Sequence, residues 1–422
     1  MNPAAARGAP GPRTPPRAVG TPVAILMATA LTALVLAVLL PHLWYGLHDI
    51  SDIGVYQSYA ARIATGERPY TEAFPVEYPP LAIPIFRLPG HTADPDAYTH
   101  WFSVDMGIVT LLAAALTALV ACRLWPRGGR AYVASVLFPV GVALTGAIIV
   151  NRYDAAVALL VAGFLLCLTN RWYTAAAFVL GVGFALKLTP AAMLPLVLLL
   201  AGPPRRWLWP AVAFAAAATA PFVPYLLSSA RGMWYVFQYH LERPLQIESV
   251  LGTPMLFGQL LGAGWATWGH SHGSHSLIAP GAGFAATASG GLTLLAVVGV
   301  YLLIWRRQGR LRAAAPDQAI AALALILALM TFGKVLSPQY FIWILPAWAL
   351  VAARDRVLAV LGGATLLLTQ VEFPALYWRL LDMRPDTLAV VVARNALLLA
   401  CFAVTAWRLW RLPGADGDPY GV

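Results

Sequence analysis

The stretch that decides the fold is TPVAILMATALTALVLAVLL, residues 21–40, which contains no charged side chain. A helix of about 20 apolar residues is long enough to cross the hydrocarbon core of a bilayer. It is also longer than the apolar region of a signal peptide, so the sequence predicts an uncleaved first membrane helix. Before it stand Arg7, Arg13 and Arg17 among Pro, Ala and Gly. We expect residues 1–20 to be a disordered, basic, cytoplasmic tail.

The composition extends this prediction to the whole chain. Of its 422 residues, 60% are hydrophobic and only 11% are charged, and the mean hydropathy is +0.70. Soluble globular proteins carry roughly a quarter charged residues. This chain therefore cannot cover a water-facing surface of its size. The composition excludes a soluble enzyme, a disordered chain and an ordinary nucleic-acid-binding protein, and it indicates a polytopic membrane protein.

Apolar runs recur along the chain and predict an all-α bundle of about twelve membrane helices. They form one membrane domain over residues 21–411, with outer loops at 42–101 and 229–284 that bear short interfacial helices, and a cytoplasmic tail at 412–422. The predicted spans are residues 21–41, 102–122, 132–150, 154–169, 173–187, 189–201, 208–228, 285–305, 317–333, 340–352, 356–371 and 387–407.

The distribution of charge orients these spans. If the N-terminal tail is cytoplasmic, the inner side receives 17 of the 28 basic residues and 4 of the 18 acidic ones. The outer side then holds 11 basic and 14 acidic residues, so the inner side is +13 and the outer side −3. The positive-inside rule favours this arrangement, with both termini inside. We expect a multi-pass plasma-membrane protein whose chemistry lies on the outer face, where the only long loops are predicted.

The first outer loop contains a candidate catalytic carboxylate. Ser51 or Asp52 is a plausible helix N-cap, and the apolar residues that follow recur at helical spacing: Ile53, Tyr56, Ala60 and Ile63. We expect an amphipathic helix on the membrane surface. Asp52 either only caps this helix or also accepts a proton from a hydroxyl. Further on, Glu77 and Tyr78 precede two prolines that hold the chain extended. The Glu77 and Tyr78 side chains either contact a polar headgroup or only pack on the bundle.

Polar clusters lie at the outer ends of other predicted spans, where ionisable residues suggest function. Some have simpler explanations: Asp154 could be an N-cap, and Lys187 could extend to water. The candidate residues in these clusters are Asp154, Lys187, His240, Arg243, Gln246, Lys334, Gln339 and Tyr340. Arg243 and His240 are three residues apart, and both side chains suit an anionic phosphate.

The remaining reactive residues predict no further site. The three cysteines, Cys122, Cys167 and Cys401, lie in or beside apolar runs and have no metal-binding spacing. The histidines of GHSHGSH, residues 269–275, lie among Gly and Ser without a carboxylate, and we interpret this stretch as a flexible loop. We predict no cofactor, although a divalent metal held by Asp52 and Glu77 is an alternative that we do not favour.

Five segments together resemble the family-87 glycosyltransferases, membrane enzymes of the GT-C superfamily that include mannosyltransferases. The segments are Asp52 with GVYQSYAARIATGERPYTEAFPVEYPPLA, then NRYDAAVALL, ALKLTPAAMLPLVLL, YHLERPLQIES and KVLSPQYFIWILPAW, between about residues 45 and 350. The resemblance implies an inverting transfer, on the outer side, of a sugar from a polyprenyl-phosphate donor, commonly polyprenyl-phosphate mannose. It also implies that Asp52 matches the catalytic base.

A mechanism consistent with these residues assigns each a role. Asp52 takes the proton of the acceptor hydroxyl, and His240, Arg243 and Lys334 stabilise the leaving phosphate. The other candidates bind the sugar or the acceptor: Glu77, Tyr78, Asp154, Lys187, Gln246, Gln339 and Tyr340. The expected partners are the polyprenyl-phosphate donor, a lipid or glycan acceptor and the bilayer, and no nucleic acid. The competing hypothesis is a membrane transporter or flippase of a glycolipid or polyprenyl-linked substrate, which requires a cavity at the middle of the bundle.

Overall fold

The computed structural model describes residues 20–90, 94–126 and 128–413 and consists almost entirely of helices. The predicted all-α membrane architecture is confirmed. The tail predicted at residues 1–20 and most of the tail predicted at 412–422 lie outside the described residues.

Helices occupy all twelve segments that the sequence predicts as spans. In chain order the helices are α1 (Thr21–Leu34), α2 (Ile53–Ala64), α3 (Ala82–Arg87), α4 (Pro95–Leu124), α5 (Gly129–Thr145), α6 (Ile148–Asn151), α7 (Asp154–Thr169), α8 (Tyr173–Leu186), α9 (Leu194–Ala201), α10 (Leu208–Thr219), α11 (Val223–Ser228), α12 (Ala230–Glu242), α13 (Thr253–Leu260), α14 (Ala282–Arg306), α15 (Gln308–Ala313), α16 (Ala315–Phe332), α17 (Phe341–Ala352), α18 (Arg356–Gln370), α19 (Tyr377–Leu381) and α20 (Pro385–Trp410). Two strands, β1 (Thr267–Ser271) and β2 (Ser274–Ile278), form an antiparallel hairpin.

Seven helical segments of the described chain are long and apolar enough to cross a membrane. They are Thr21–His42, Pro95–Leu124, Leu208–Ser228, Ala282–Arg306, Ala315–Phe332, Arg356–Ala375 and Pro385–Trp410. The other five predicted spans are apolar helices of 10–17 residues. In lipid every backbone polar group must be bonded within the protein, which is why such apolar segments form helices. The twelve-span count stays a prediction.

The bundle has a central pair of helices and a lipid-facing periphery. All of α17 is buried, and most of α16 is buried with it. At the periphery, α1 and α14 expose large apolar side chains, among them Leu26, Phe284 and Leu295, which are 68%, 81% and 69% exposed. Such apolar surface is unfavourable in water and favourable against hydrocarbon.

Polar contacts gather at the two opposite ends of the helices. At one end, which we call the arginine end, Asp317 accepts hydrogen bonds from Arg310 (2.8 Å) and Arg354 (2.7 Å). Arg408 forms an ion pair of 2.6 Å with Asp355 at the same end. At the other end, which we call the cavity end, the long loops converge. All these contacts at the arginine end join segments that the sequence prediction assigns to the inner side.

The loops of the cavity end are tightly packed against the bundle. In α2, Ile53, Tyr56 and Ala60 are buried, and the Tyr56 ring stacks on Phe86 of α3 at 4.3 Å. The apolar face of α2 therefore faces protein, where the sequence analysis expected the membrane surface. On the opposite side, α12 crosses close to the first loop. A Cβ on Gly232 would come within 1.9 Å of the Tyr70 carbonyl oxygen, so only glycine allows this approach.

Candidate functional site

A cavity of about 530 Å³ opens at the cavity end of the bundle. Its wall is made by the first loop, the turn before α7, the segment after α8, α12 with the following segment, the hairpin and the residues around α17 and α19. Ten of the eleven residues that the sequence predicts for the site line this cavity: Asp52, Glu77, Tyr78, Lys187, His240, Arg243, Gln246, Lys334, Gln339 and Tyr340. Asp154 does not.

Asp52 lies at the start of α2 but does not cap it with its side chain. The N–H of Ile53 donates instead to Ser51 Oγ at 3.0 Å. The Asp52 carboxylate forms an ion pair with Arg152 (Nε–Oδ2, 3.0 Å). The Asp52 side chain is 32% exposed to the cavity, whereas Arg152 is 4% exposed. Arg152 therefore orients the carboxylate from behind and leaves part of it accessible to a substrate.

Asp154 is placed behind the cavity wall, where it holds Lys187. Asp154 Oδ1 accepts from Lys187 Nζ (2.9 Å) and from Trp343 Nε1 (2.6 Å), and its side chain is fully buried. The Lys187 ammonium also lies 4.6 Å from the centre of the Tyr153 ring. Lys187 does not extend to water, and its side chain is 14% exposed. In this arrangement Asp154 positions a cavity residue and has no access to a sugar.

Arg243 and Lys334 present positive charge to the cavity. Arg243 Nη2 donates to Ser274 Oγ (2.8 Å), and Lys334 Nζ donates to the Leu241 carbonyl (2.6 Å). Among the described residues, neither has a carboxylate partner within 4 Å. Burial, followed by the Arg243 guanidinium, lowers the pKa of Lys334. The two cations repel one another, and a bound anion would relieve this repulsion.

His240 lies with these cations but carries no charge of its own at neutral pH. Burial, and then the charges of Arg243, Lys187 and Lys334, lower the pKa of His240 to about 4. Its imidazole is therefore neutral, and its one N–H has the Glu77 backbone carbonyl as a partner. This alters the predicted role of His240, because a neutral ring supplies no compensating charge.

Glu77 and Tyr78 lie on the same wall as Asp52. The Tyr59 hydroxyl donates to Glu77 Oε2, and burial raises the pKa of Glu77 above its usual range. The Tyr78 carbonyl accepts from the Tyr70 hydroxyl at 2.8 Å, which fixes the extended segment before the prolines. Glu77 is thus a second carboxyl in the cavity, and the Tyr59 hydroxyl holds one of its oxygens.

The remaining predicted residues belong to two loops. The backbone N–H of Gln246 donates to the Lys334 carbonyl (2.9 Å), which joins the segment after α12 to the segment after α16. Ser337 Oγ donates to Gln339 Oε1 at 2.6 Å, and the Tyr340 ring stacks on Trp343 at 4.3 Å. These contacts make the wall beside Lys334 a fixed surface.

The histidine stretch is an ordered hairpin, so its interpretation as a flexible loop is wrong. His270 faces His275 across β1 and β2, and the turn residues His272 and Gly273 have φ values of 49° and 61°. Positive φ at both central residues is the geometry of the two-residue turns that join antiparallel strands. The glycine that suggested flexibility instead permits the turn. His270, His272 and His275 all line the cavity.

Sequence reasoning did not assign a role to three further cavity residues: Arg152, Glu248 and Tyr377. Arg152 carried a signal, since it is a cation in a turn on the predicted outer side, against the positive-inside pattern. Glu248 is 1% exposed and accepts from Gln246. Burial, and next the Glu372 carboxyl, hold the pKa of Glu248 well above its usual range. Tyr377 follows a predicted span and carries no pattern of its own.

A buried arginine supports this part of the wall from within α20. Arg394 Nη2 donates to the Glu248 carbonyl (2.8 Å), and Arg394 Nη1 lies 3.7 Å from Glu372 Oε2. Both side chains of that ion pair are fully buried. In the part of the chain that the structure describes, no group of three or more His, Cys, Asp or Glu residues could hold a metal ion. The expected absence of a cofactor stays a prediction.

The cavity thus combines a carboxylate, unneutralised cations and hydrogen-bonding groups in one space. A carboxylate can accept the proton of an attacking hydroxyl. Cations without carboxylate partners can stabilise the negative charge that develops on a leaving phosphate. These groups are the ones required to transfer a group from a phosphate ester to an alcohol.

A protein-family model, glycosyltransferase family 87, matches residues 76–328. The chain belongs to glycosyltransferase family 87. The predicted family is thereby confirmed, and the protein is a membrane glycosyltransferase. The match begins one residue before Glu77 and includes Arg152, Lys187, Arg243 and the hairpin, whereas Asp52 and Lys334 lie outside it.

Two solved structures resemble this family-87 chain. ArnT from Cupriavidus metallidurans bound to undecaprenyl phosphate is 15% identical, with a TM-score of 0.48 over 92% of this chain and 76% of ArnT. ArnT from Cupriavidus metallidurans in the apo state is 12% identical, with a TM-score of 0.47 over the same shares. No curated protein matches this chain in sequence.

Proposed function

We propose that this chain transfers a hexose, specifically mannose, from a polyprenyl-phosphate donor to a hydroxyl of a lipid or glycan acceptor. The transfer inverts the anomeric centre and takes place on the outer face of the plasma membrane. The observation that carries the proposal is the cavity itself, in which Asp52 faces the same space as Arg243 and Lys334. Membership of glycosyltransferase family 87 supplies the reaction class.

The proposed reaction has a complete balance of atoms and charge. The acceptor oxygen forms a bond to the anomeric carbon while the bond from that carbon to the phosphate oxygen breaks. The electron pair of the broken bond leaves with the lipid phosphate, whose charge Arg243 and Lys334 stabilise. Asp52 takes the proton of the acceptor hydroxyl. Arg152 holds the carboxylate during this step, because its ion pair fixes one of the two oxygens.

The cavity's position favours the transferase over the transporter. A transporter of repeated halves binds its substrate near the middle of the bundle. Here loops and helix ends form the wall of the cavity. Helix α16 contributes only apolar side chains to this wall, Leu329 and Met330, and both lie near the end of the helix. A donor with a lipid tail in the bilayer and a phosphate at the membrane surface suits such a position.

A labelled-sugar assay tests this proposal. Purified protein in lipid nanodiscs is incubated with radiolabelled polyprenyl-phosphate mannose and a panel of lipid and glycan acceptors, and label in glycoside products is counted. We expect transfer by the wild type and at most background transfer by Asp52→Asn. Failure of the wild type to consume any polyprenyl-phosphate sugar would contradict the proposal, and transfer of glucose in place of mannose would correct only the sugar.

The proposed orientation has its own test. A cysteine at Glu72, which is 68% exposed at the cavity end, should react with a membrane-impermeant thiol reagent added to intact cells. A cysteine at the exposed Arg205 of the opposite end should react only after the cells are opened. A parent without Cys122, Cys167 and Cys401 serves as the background. The reverse labelling pattern would move the active site to the cytoplasm.

A further inference from the structure

The histidine hairpin is a built part of the cavity wall that the proposed mechanism leaves without a role. Strand β2 is joined to the segment after α12: Ile247 N–H donates to the His275 carbonyl (3.1 Å), and Leu277 N–H donates to the Leu245 carbonyl (2.8 Å). Strand β1 is attached to α19, since Trp268 Nε1 donates to the Leu381 carbonyl at 2.7 Å. A surface held from both sides is suited to recognition.

The tip of the hairpin belongs to the phosphate side of the cavity. Ser274 Oγ accepts from Arg243 (2.8 Å), and the His272 ring lies 5.2 Å from the Tyr239 ring. A Cβ on Gly273 would lie 3.1 Å from the Tyr239 hydroxyl, so the tip is in close contact with α12. The tip therefore positions Arg243 and does not face the acceptor.

The body of the hairpin belongs to the Asp52 side. His275 Nδ1 and the Tyr377 hydroxyl share a hydrogen bond of 2.9 Å, and the His270 ring lies 5.2 Å from the His275 ring. Tyr377 is linked to the Asp52 ion pair by packing: the Arg152 guanidinium lies 5.6 Å from the centre of the Phe373 ring, and the Phe373 ring lies 4.9 Å from the Tyr377 ring. A substrate group that has its reacting hydroxyl at Asp52 would thus meet Tyr377 and His275 next.

The side chains on this wall suit an uncharged, hydroxyl-rich group. Burial, followed by the His270 ring, lowers the pKa of His275, so its imidazole is neutral. With Nδ1 engaged by Tyr377, Nε2 of His275 has no hydrogen bond to the described residues and is free for a ligand. Imidazole and phenol groups can each donate or accept, which matches a sugar hydroxyl. Arg152, the cation on this side, is already paired with Asp52, and Arg243 lies at the tip, where it contacts Ser274.

We propose that His270, His275 and Tyr377 form an acceptor subsite that binds a sugar unit bearing the attacked hydroxyl. The inference rests on the proposed transferase function. It names the acceptor class as a glycan or glycolipid with a neutral sugar at the reacting end, and it excludes a plain lipid alcohol. The subsite determines acceptor specificity, while Arg243 and Lys334 determine donor use.

Acceptor and donor kinetics of three variants test the subsite. His270→Ala, His275→Phe and Tyr377→Phe are compared with Ser274→Ala at the tip, in nanodiscs, with polyprenyl-phosphate mannose as donor. The acceptor probes are octyl mannoside, free mannobiose and octanol. We expect the three body variants to raise the KM for octyl mannoside by about 10-fold or more, the scale of a lost hydrogen bond, with the KM for the donor unchanged within twofold. Ser274→Ala should change the KM for the donor instead.

The remaining outcomes decide between the two proposals and between two acceptor sources. Use of mannobiose as well as octyl mannoside indicates a soluble glycan, and use of octyl mannoside alone indicates a glycolipid. Octanol accepting as well as octyl mannoside overturns the subsite, and so do body variants that alter only donor KM. Thermal unfolding identifies any variant that fails to fold. If His275→Phe or Tyr377→Phe fails, the His270→Ala variant alone decides the test, because His270 is exposed and its replacement should not affect folding. A wild type that consumes no donor overturns the proposed function itself.

Discussion

The two ends of the bundle treat positive charge in opposite ways. At the arginine end, the 1% exposed Asp317 carboxylate receives Arg310 on one oxygen and Arg354 on the other, at 2.8 and 2.7 Å. At the cavity end, the hydrogen bonds of Arg243 and Lys334 to the described residues go to a serine hydroxyl and a backbone carbonyl, and to no carboxylate. The first cluster is electrostatically complete within the protein. The second becomes complete only when an anion binds.

This difference separates cations that serve the fold from cations that serve a substrate. A half-buried guanidinium without a counter-ion lowers the stability of the folded protein. Its presence is therefore better explained by a bound substrate than by the fold. Within the cavity end the same contrast recurs, because Lys187 has its own carboxylate in Asp154 whereas Arg243 has none in the described part of the chain. Lys187 thus resembles the arginine end, although it lines the cavity.

The largest expected effect is at Asp52, the carboxylate of the cavity end that faces substrate. Asp52→Asn keeps the size of the side chain and an oxygen that can accept from Arg152, it removes the charge of the ion pair, and no capping hydrogen bond is lost. Turnover should fall by roughly 100-fold or more because the base is removed. The measurement is kcat of purified protein with saturating donor and acceptor.

Asp49→Asn is the matched control for Asp52. The Asp49 carboxylate accepts from the Gly46 N–H (2.7 Å) in the same loop and does not line the cavity. Its activity should stay near that of the wild type. If Asp52→Asn retains more than about a tenth of wild-type turnover, the general-base magnitude excludes Asp52, and Glu77 becomes the candidate.

The next effect concerns the cations without carboxylate partners. Arg243→Ala or Lys334→Ala should lower kcat/KM for the donor by about 30- to 1,000-fold, which corresponds to about 2–4 kcal/mol of transition-state stabilisation. Arg231→Ala, on α12 just before Arg243, is the control, because Arg231 is 84% exposed and already lies 3.3 Å from Glu72. Near-normal activity in both cavity variants would show that the phosphate binds elsewhere.

The arginine end should respond in the opposite sense. Arg354→Ala leaves Asp317 with one partner in place of two, which should lower the free energy of unfolding by about 1–3 kcal/mol. The kcat of the protein that remains folded should not change, since the cavity lies at the other end of the helices. Thermal unfolding in detergent and kcat per folded molecule measure the two quantities. A fall in kcat without loss of stability would contradict the claim that the arginine end serves only the stability of the fold.

The sequence was sufficient for the helices, and ten of the eleven site residues that it predicts line the cavity. Apolar runs locate membrane helices because lipid allows few other structures, and polar clusters at their ends stand out against that background. Asp154 shows the limit of this reasoning. A carboxylate beside a cavity and one behind its wall have the same sequence context, and only the fold shows that Asp154 points to Lys187 and Trp343.

The hairpin shows a second limit, since its order depends on contacts with residues that are far away in the sequence. Gly and Ser around His270 and His275 predict flexibility when they are considered alone. The order comes from hydrogen bonds to residues 245–247 and from Tyr377, which is 102 residues from His275. No local pattern encodes such contacts. Tyr377 itself was missed for the same reason.

The smallest expected effect is at His240, and it separates charge from hydrogen bonding within the cavity end. With a pKa of about 4, His240 is neutral at physiological pH and offers only a hydrogen bond. His240→Gln keeps a donor and an acceptor, so kcat/KM should fall by less than about 10-fold, far less than in Arg243→Gln. Between pH 5.5 and 8, the variant's pH–rate profile should keep the shape of the wild-type profile.

The stability of the same variant should change with pH in a defined direction. Unfolded His240 takes up a proton near pH 6.5, whereas the folded protein resists protonation until about pH 4. The unfolded state therefore binds more protons between these values, and the wild type loses stability as the pH falls from 6.5 towards 4. His240→Gln lacks this loss, so relative to the wild type it should be more stable at pH 5 than at pH 7.5. If His240→Gln is instead less stable relative to the wild type at pH 5 than at pH 7.5, the cavity raises the pKa of His240, and His240 then belongs with Arg243 and Lys334 as a phosphate-binding cation.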